Sequence, residues 1–121
     1  MKKTGPTNVI LRKTISFLRK KSIENNAKIW EYIADKLAAP RRSRVVVNIG
    51  KINRYTVPND VVVVPGKVLG AGTISHSVTV AAFSFSKSAY EKINKAGGKC
   101  ISIIDLVNMN PKGSNVKILG G

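Results

Sequence analysis

The chain has 121 residues, 43% of them hydrophobic, and carries 21 lysines and arginines against 6 aspartates and glutamates, a net charge of +15. That length suits one domain spanning residues 1–121, and the hydrophobic share is too high for wholesale disorder. A charge far above the magnitude of about 2–8 that suits a free small domain argues against a solitary metabolic enzyme and for a polyanionic partner.

The segment Thr4–Asn8 is a breaker cluster that offers Thr7 and Asn8 as helix N-caps. Beyond it Leu11, Ile15 and Leu18 recur at i, i+4 and i+7, flanked by Ile10 and Phe17, while Arg12, Lys13, Arg19, Lys20 and Lys21 fall outside that stripe. The spacing predicts an amphipathic helix with a basic face from about Asn8 to Ile23. Asn25-Asn26 breaks it. A second helix sets Ile29, Trp30, Ile33 and Leu37 on one face and ends ahead of Pro40, because a residue before proline resists the α region. Its Glu31 and Asp35, beside Lys28 and Lys36, read as a solvated helix face rather than a catalytic carboxylate pair.

Pro40–Arg44 is a turn packed with Arg41, Arg42 and Arg44, leading into Val45-Val46-Val47, a β-branched run expected as a buried strand. Ile49–Tyr55 reads as a short helix presenting Lys51 and Arg54. Pro58-Asn59-Asp60 is a turn and Val61–Val64 a second buried strand; Pro65-Gly66-Lys67 and Gly70-Ala71-Gly72 then punctuate an extended segment. Ser77–Phe85 is a third strand. Ser86 caps a helix from Lys87 to Lys95 with Ala89, Ile93 and Ala96 inward, and Gly97-Gly98 stop it. Lys99–Ser102 is a strand, Ile103–Met109 a short helix, and Val116–Leu119 a last strand. Strands alternating with short helices give a mixed α/β class.

The charge is unevenly placed. Residues 1–54 hold 14 basic and 3 acidic side chains, a net of +11, against 7 and 3 in residues 55–121, a net of +4. All six arginines lie in the first part, and arginine's planar fork suits bidentate contact with phosphate where lysine is a mobile point charge. Aromatic residues are sparse and are not interleaved with the cations, so backbone and shape recognition of a folded nucleic acid is expected rather than base stacking. With about eight phosphate contacts, affinity would fall with salt at a log–log slope of about −6 to −7.

Competing chemistries lack their residues. No window approaches the ~20 apolar residues of a membrane span, and no apolar region follows Met1-Lys2-Lys3 as in a signal peptide. A membrane-surface role for the first helix would leave the arginine turn unused. Cys100 is the single cysteine, so it is read as a small buried hydrophobe, without disulfide or CxxC chemistry. In Val64–Gly72 the lysine precedes the second glycine and no Ser or Thr follows it, so a P-loop fails, and Gly70-x-Gly72 lacks the third glycine of a dinucleotide fingerprint. That stretch reads as a loop whose glycines permit close backbone approach, with Lys67 and His76 able to reach a phosphate. His76 stands alone, and no His, Cys or carboxylate grouping has metal-ligand spacing. No cofactor or small-molecule substrate is expected, and the simplest location is the cytoplasm.

Pro40-Arg41-Arg42, Val47–Tyr55 and above all Val63-Val64-Pro65-Gly66-Lys67-Val68-Leu69-Gly70 together resemble the archaeal and eukaryotic ribosomal protein eighteen of the large subunit, in its short archaeal form. Val78–Ala82 and Asn110-Pro111-Lys112-Gly113-Ser114 fit the same family in order and spacing, and the resemblance covers roughly residues 6–119. It implies a fold related to the bacterial-type ribosomal protein fifteen, a single domain of irregular strand–strand–helix turns. It also implies contact with large-subunit ribosomal RNA and neighbouring ribosomal proteins, and no enzymatic activity. Relative to eukaryotic members, long terminal extensions are not expected. The residues expected at RNA are Arg12, Lys13, Arg19, Lys20, Lys21, Arg41, Arg42, Arg44, Lys51, Arg54 and Lys67, with residues 1–6 ordering only on binding. Two rivals stand beside this reading: a basic DNA-compacting chromatin protein, and a small RNA-modifying or cleaving enzyme using His76 or the Glu31/Asp35 pair.

Overall fold

The computed structural model describes residues 6–40 and 44–120. The expectation for residues 1–6 therefore lies, except for Pro6, outside the described residues, as do Arg41 and Arg42. Helix α1 runs over Pro6–Asn25 and α2 over Lys28–Leu37, with Asn26 at φ 51° in the break between them. The buried side of α1 is Leu11, Thr14, Leu18 and Ser22, with Ile15 and Phe17 only partly covered. The stripe is thus rotated from the expected Leu11–Ile15–Leu18 line, and two small polar residues lie within it. Thr14 can be buried because its hydroxyl donates to the Ile10 carbonyl at 2.9 Å. On α2 the buried residues are Trp30, Ile33, Ala34 and Leu37.

Among the described residues the five strands, β1 (Val45–Asn48), β2 (Val61–Leu69), β3 (Thr79–Phe85), β4 (Lys99–Ser102) and β5 (Val116–Ile118), all pair in parallel. Their order is β1-β2-β3-β4, and β5 also pairs with β2. Two strands share one edge of β2: Val61–Val63 face β5, and Gly66–Leu69 face β1. Pro65 sits at the changeover, where its missing N–H costs no ladder bond, and the register against β3 shifts between Val64 and Lys67. A Cβ on Gly66 would collide with the Val45 carbonyl oxygen, so only glycine lets β1 close on β2 here. The Pro65-Gly66-Lys67 stretch is accordingly not a loop. It lies inside β2, and only its role in close backbone approach is as expected.

Alternation along the strands splits the core. Val62, Val64, Val68, Val80 and Ala82 pack under α3 (Ile49–Tyr55) and α4 (Lys87–Lys95). Val63 and Ala81, with Phe83 beside them, pack under α1, α2 and α5 (Ile103–Met109). The molecule is a three-layer α/β plate with helices on both faces, the mixed α/β class expected from strands alternating with short helices. The buried reading of Val45–Val47 needs correction. Val46 is 48% exposed, because β1 is an edge strand and the central valine points to the side opposite its two buried neighbours.

The caps are local. The Ser86 hydroxyl accepts from the Ala89 N–H at 3.1 Å and the Ser102 hydroxyl from the Asp105 N–H at 3.0 Å, while Gly97 at φ 87° closes α4. The Asn110–Ser114 motif is a clasp. Pro111 accepts a hydrogen bond from Trp30 Nε1 at 2.7 Å, and Lys112 donates to the Asn25 carbonyl at the C-terminus of α1 at 2.9 Å. Cys100 is half-buried against the α3/α4 side, and desolvation raises its thiol pKa to about 11.

Candidate nucleic-acid interface

Helix α1 presents Arg12, Lys13, Arg19 and Lys20 to solvent. Val9, Arg12, Lys13, Ser16, Phe17 and Lys20 line a shallow groove of about 530 Å³ along it, so three of the expected cations share one surface. The others on this helix are partly engaged. Arg19 Nη2 reaches Asp35 Oδ1 at 3.2 Å, and Lys21 Nζ lies 3.0 Å from Glu24 Oε1 and 5.6 Å from the Phe17 ring centroid. Asp35 thus pairs with an arginine from the neighbouring helix, not with the lysines of its own. Lys20 lies 3.9 Å from Glu24 Oε2. The Lys21 hydrogen bond, more than the nearby charges, holds the Glu24 carboxyl below its ordinary pKa. These exposed pairs are individually weak, and an incoming phosphate can displace them.

The remaining expected residues are spread over the molecule. Arg44 is half-buried just before β1, and its Nε is withdrawn from solvent without a hydrogen-bond partner among the described residues. Lys67 is exposed on β2 between Val46 and Ser84 in register, on the α1 side of the sheet, since Val68 faces the other way. Lys51 and Arg54 ride on α3, on the opposite side. The ammonium of Lys51 donates to the Gly120 carbonyl at 2.6 Å and lies 6.0 Å from the Tyr55 ring centroid. The nine of these residues that the structure describes are therefore not one patch: the sheet separates α1 from α3.

The segment between β2 and β3 is fastened along α3. Asn48 Oδ1 accepts from the Ala71 N–H at 3.1 Å, and the Ala71 carbonyl accepts from the Gly50 N–H at 3.1 Å. Asn53 Oδ1 accepts from the Ser75 N–H at 3.1 Å. The Thr56 hydroxyl donates to the Ile52 carbonyl at 2.7 Å, so it accepts from His76 Nε2, also at 2.7 Å, and the imidazole carries its proton there. His76 is thus a clamp holding its loop to α3. From the other side Lys92 Nζ donates to the carbonyls of Gly70 at 2.9 Å and Gly72 at 3.3 Å. Lys92 and Lys95 escaped the sequence reading. The one signal available was three lysines on a nine-residue helix, which ordinarily marks only a solvated face.

Among the described residues no group of three or more His, Cys, Asp or Glu side chains could hold a metal ion, and no helix is long and apolar enough to cross a membrane. The described residues thus form a small parallel α/β plate with cations displayed from both flanks. The family described as ribosomal protein 60S L18 and 50S L18e matches residues 1–121, and the chain belongs to it. Similar proteins named large ribosomal subunit protein eL18 occur in Methanococcus maripaludis (50% identical over 98% of this chain and 99% of the relative) and Sulfurisphaera tokodaii (50%, over 98% of each). Another, in Archaeoglobus fulgidus, is 48% identical over 98% of this chain and 99% of the relative.

Proposed function

We propose that the chain is a structural, non-enzymatic constituent of the large ribosomal subunit, working in the cytoplasm by binding ribosomal RNA and neighbouring ribosomal proteins. The observation that carries the RNA-binding mode is the α1 groove, where Arg12, Lys13 and Lys20 stand in line on a helix whose other side is anchored in the core. Cations held on a rigid element meet phosphates at fixed spacing, and neutralising them lets RNA segments pack that would otherwise repel. Arg44, just before β1, and Lys67, exposed on β2, add to the cations available for RNA, and Arg41 and Arg42 are proposed contacts from the sequence alone. Arg19, Lys20 and Lys21 exchange their carboxylates for phosphate on binding. Lys51 and Arg54 contact RNA from the far side of the sheet.

The test is incorporation. Tagged protein expressed in an archaeal host should sediment with large subunits on a sucrose gradient and leave only at high salt. An Arg12→Glu/Lys13→Glu variant, and separately Arg41→Glu/Arg42→Glu, should fold and yet be depleted from the subunit peak at raised salt. Normal incorporation of both would overturn the assignment of these residues. Preference for duplex DNA over structured ribosomal RNA in direct competition would instead favour a chromatin protein.

A further inference from the structure

The α4 side of the plate carries a second groove, of about 330 Å³, between the Gly70–His76 segment and α4, lined by Thr73, Ile74, Lys92, Lys95 and Ala96. Its floor is apolar and its rim holds two lysines and a hydroxyl. Lys92 is placed rather than free to swing, because two of its three ammonium protons go to the Gly70 and Gly72 carbonyls and the third remains for a ligand. The glycines make this possible. A Cβ on Gly70 would strike the Ser88 side chain, and Gly72 stands at φ 94°, packed on Gly50. The same loop is approached from α3 by Arg54. Its Nη1 lies 3.9 Å from the Cβ position of Gly50, and that position is 3.6 Å from Gly72 Cα. Arg54 and Lys92 thus stand on either side of a short glycine loop, with Lys95 one turn further along α4. Neither Arg54 nor Lys95 has an ion pair among the described residues.

This cationic saddle and the α1 groove belong to opposite layers of the plate, whose thickness of about 30 Å follows from two helix layers around a sheet. A single straight RNA segment cannot lie against both. We propose that the Gly70–Gly72 saddle, with Arg54, Lys92 and Lys95, is a second seat for an RNA phosphodiester backbone. The protein thereby ties together two separate RNA segments rather than coating one. This rests on the RNA-binding reading above and adds to it a second site and a bridging geometry.

The test uses the full chain and one defined probe, an RNA hairpin with a stem of about 20 base pairs, immobilised in one copy and fluorescently labelled in a second. Wild-type protein held on the immobilised hairpin should capture the labelled one. Three double variants change the net charge equally: Arg54→Glu/Lys95→Glu at the saddle, Arg12→Glu/Lys13→Glu at the α1 groove, and Lys28→Glu/Lys36→Glu on α2 as a control away from both. Each of the first two should still bind one hairpin, with a log–log salt slope shallower by about 2, and lose capture of the second. The α2 control should keep capture. The four side chains replaced in the first two variants make no hydrogen bond or ion pair among the described residues, so their melting temperatures should match wild type; Lys92→Gln, which releases the loop tether, serves as a milder third probe of the saddle. Wild-type capture persisting in the saddle variant, or capture lost equally in the α2 control, would overturn the bridging proposal. Single-hairpin binding by the wild type with no second capture would also overturn it, while leaving the RNA-binding function standing. Failure of the wild type to bind any hairpin would overturn both.

Discussion

Trp30 joins the second helix to a turn 81 residues later, and replacing it with phenylalanine separates packing from hydrogen bonding in a calculable way. The indole is fully buried, and its N–H donates to the Pro111 carbonyl at 2.7 Å. Trp30→Phe removes that bond, worth about 1 kcal/mol net. It also removes about two buried ring carbons at about 0.8 kcal/mol each. The expected loss is about 2.5 kcal/mol. With an unfolding entropy of about 2.1 cal/mol/K per residue, a chain of 121 residues should lose about 10 °C in melting temperature. Trp30 is the only tryptophan, so far-UV circular dichroism with urea and with heat is the assay. Amide exchange at Gly113, which packs on Ile29 and the indole, should accelerate in parallel. A loss below about 1 kcal/mol would refute the reasoning, because it would mean that the clasp contributes little and that α2 is held by its packing on α1 and the sheet.

Gly66→Ala should cost about 1–3 kcal/mol, since the new methyl meets the backbone of Val45 rather than a movable side chain; amide exchange along Val45–Asn48 should speed up, and unchanged protection there would refute the strand-contact account. Cys100, with its thiol raised to about 11 from the ordinary 9.0, should react with iodoacetamide at pH 8 about 100-fold more slowly in the folded protein than in the unfolded one, and near-equal rates would show that the thiol is not desolvated. Asp60 is held below its ordinary pKa by the hydrogen bond from Lys117 and then by the Val57 N–H. A depressed carboxyl stabilises the fold above its unfolded pKa and loses that contribution as pH falls through the folded value. Urea midpoints measured from pH 7 to pH 2 should therefore fall less steeply in Asp60→Asn than in wild type, and parallel curves would exclude the linkage.

Local chemistry was legible at several helix ends, although α1 begins at Pro6, ahead of Thr7 and Asn8, the residues the sequence offers as its caps. Ser86 and Gly97 bracket α4 at its observed limits, and Ile49–Tyr55 and Ile103–Met109 form helices where the sequence places them. What escaped was set at a distance. Pro65-Gly66 carries the ordinary signal of a break, yet it lies within a strand because β5 gives way to β1 along the same edge, a fact about residues roughly 20 and 50 positions away. Thr14 and Ser22 were outvoted by Ile15 as core because residue type says nothing about which side of a helix its neighbours cover. At the candidate interface the excess of cations was plain. Which of them carboxylates already occupy was not, since Arg19 meets Asp35 across a helix pair. Nor could the sequence indicate that Lys92 reaches a loop some 20 residues earlier.

The clasp and the shared edge of β2 bear on the order in which the chain is made. Strand β5, the Trp30–Pro111 bond and the Lys112–Asn25 bond all involve residues 111–118, yet they close on α1, α2 and β2, which are made 55 to 87 residues earlier. While it is being synthesised, the basic first helix therefore emerges long before its final partners exist. Its arginines and lysines are then already able to meet a polyanion, while its apolar side waits for cover. In a chain of this design the cations are available before the fold is complete, and it is the closing of β5 and the clasp that sets their geometry.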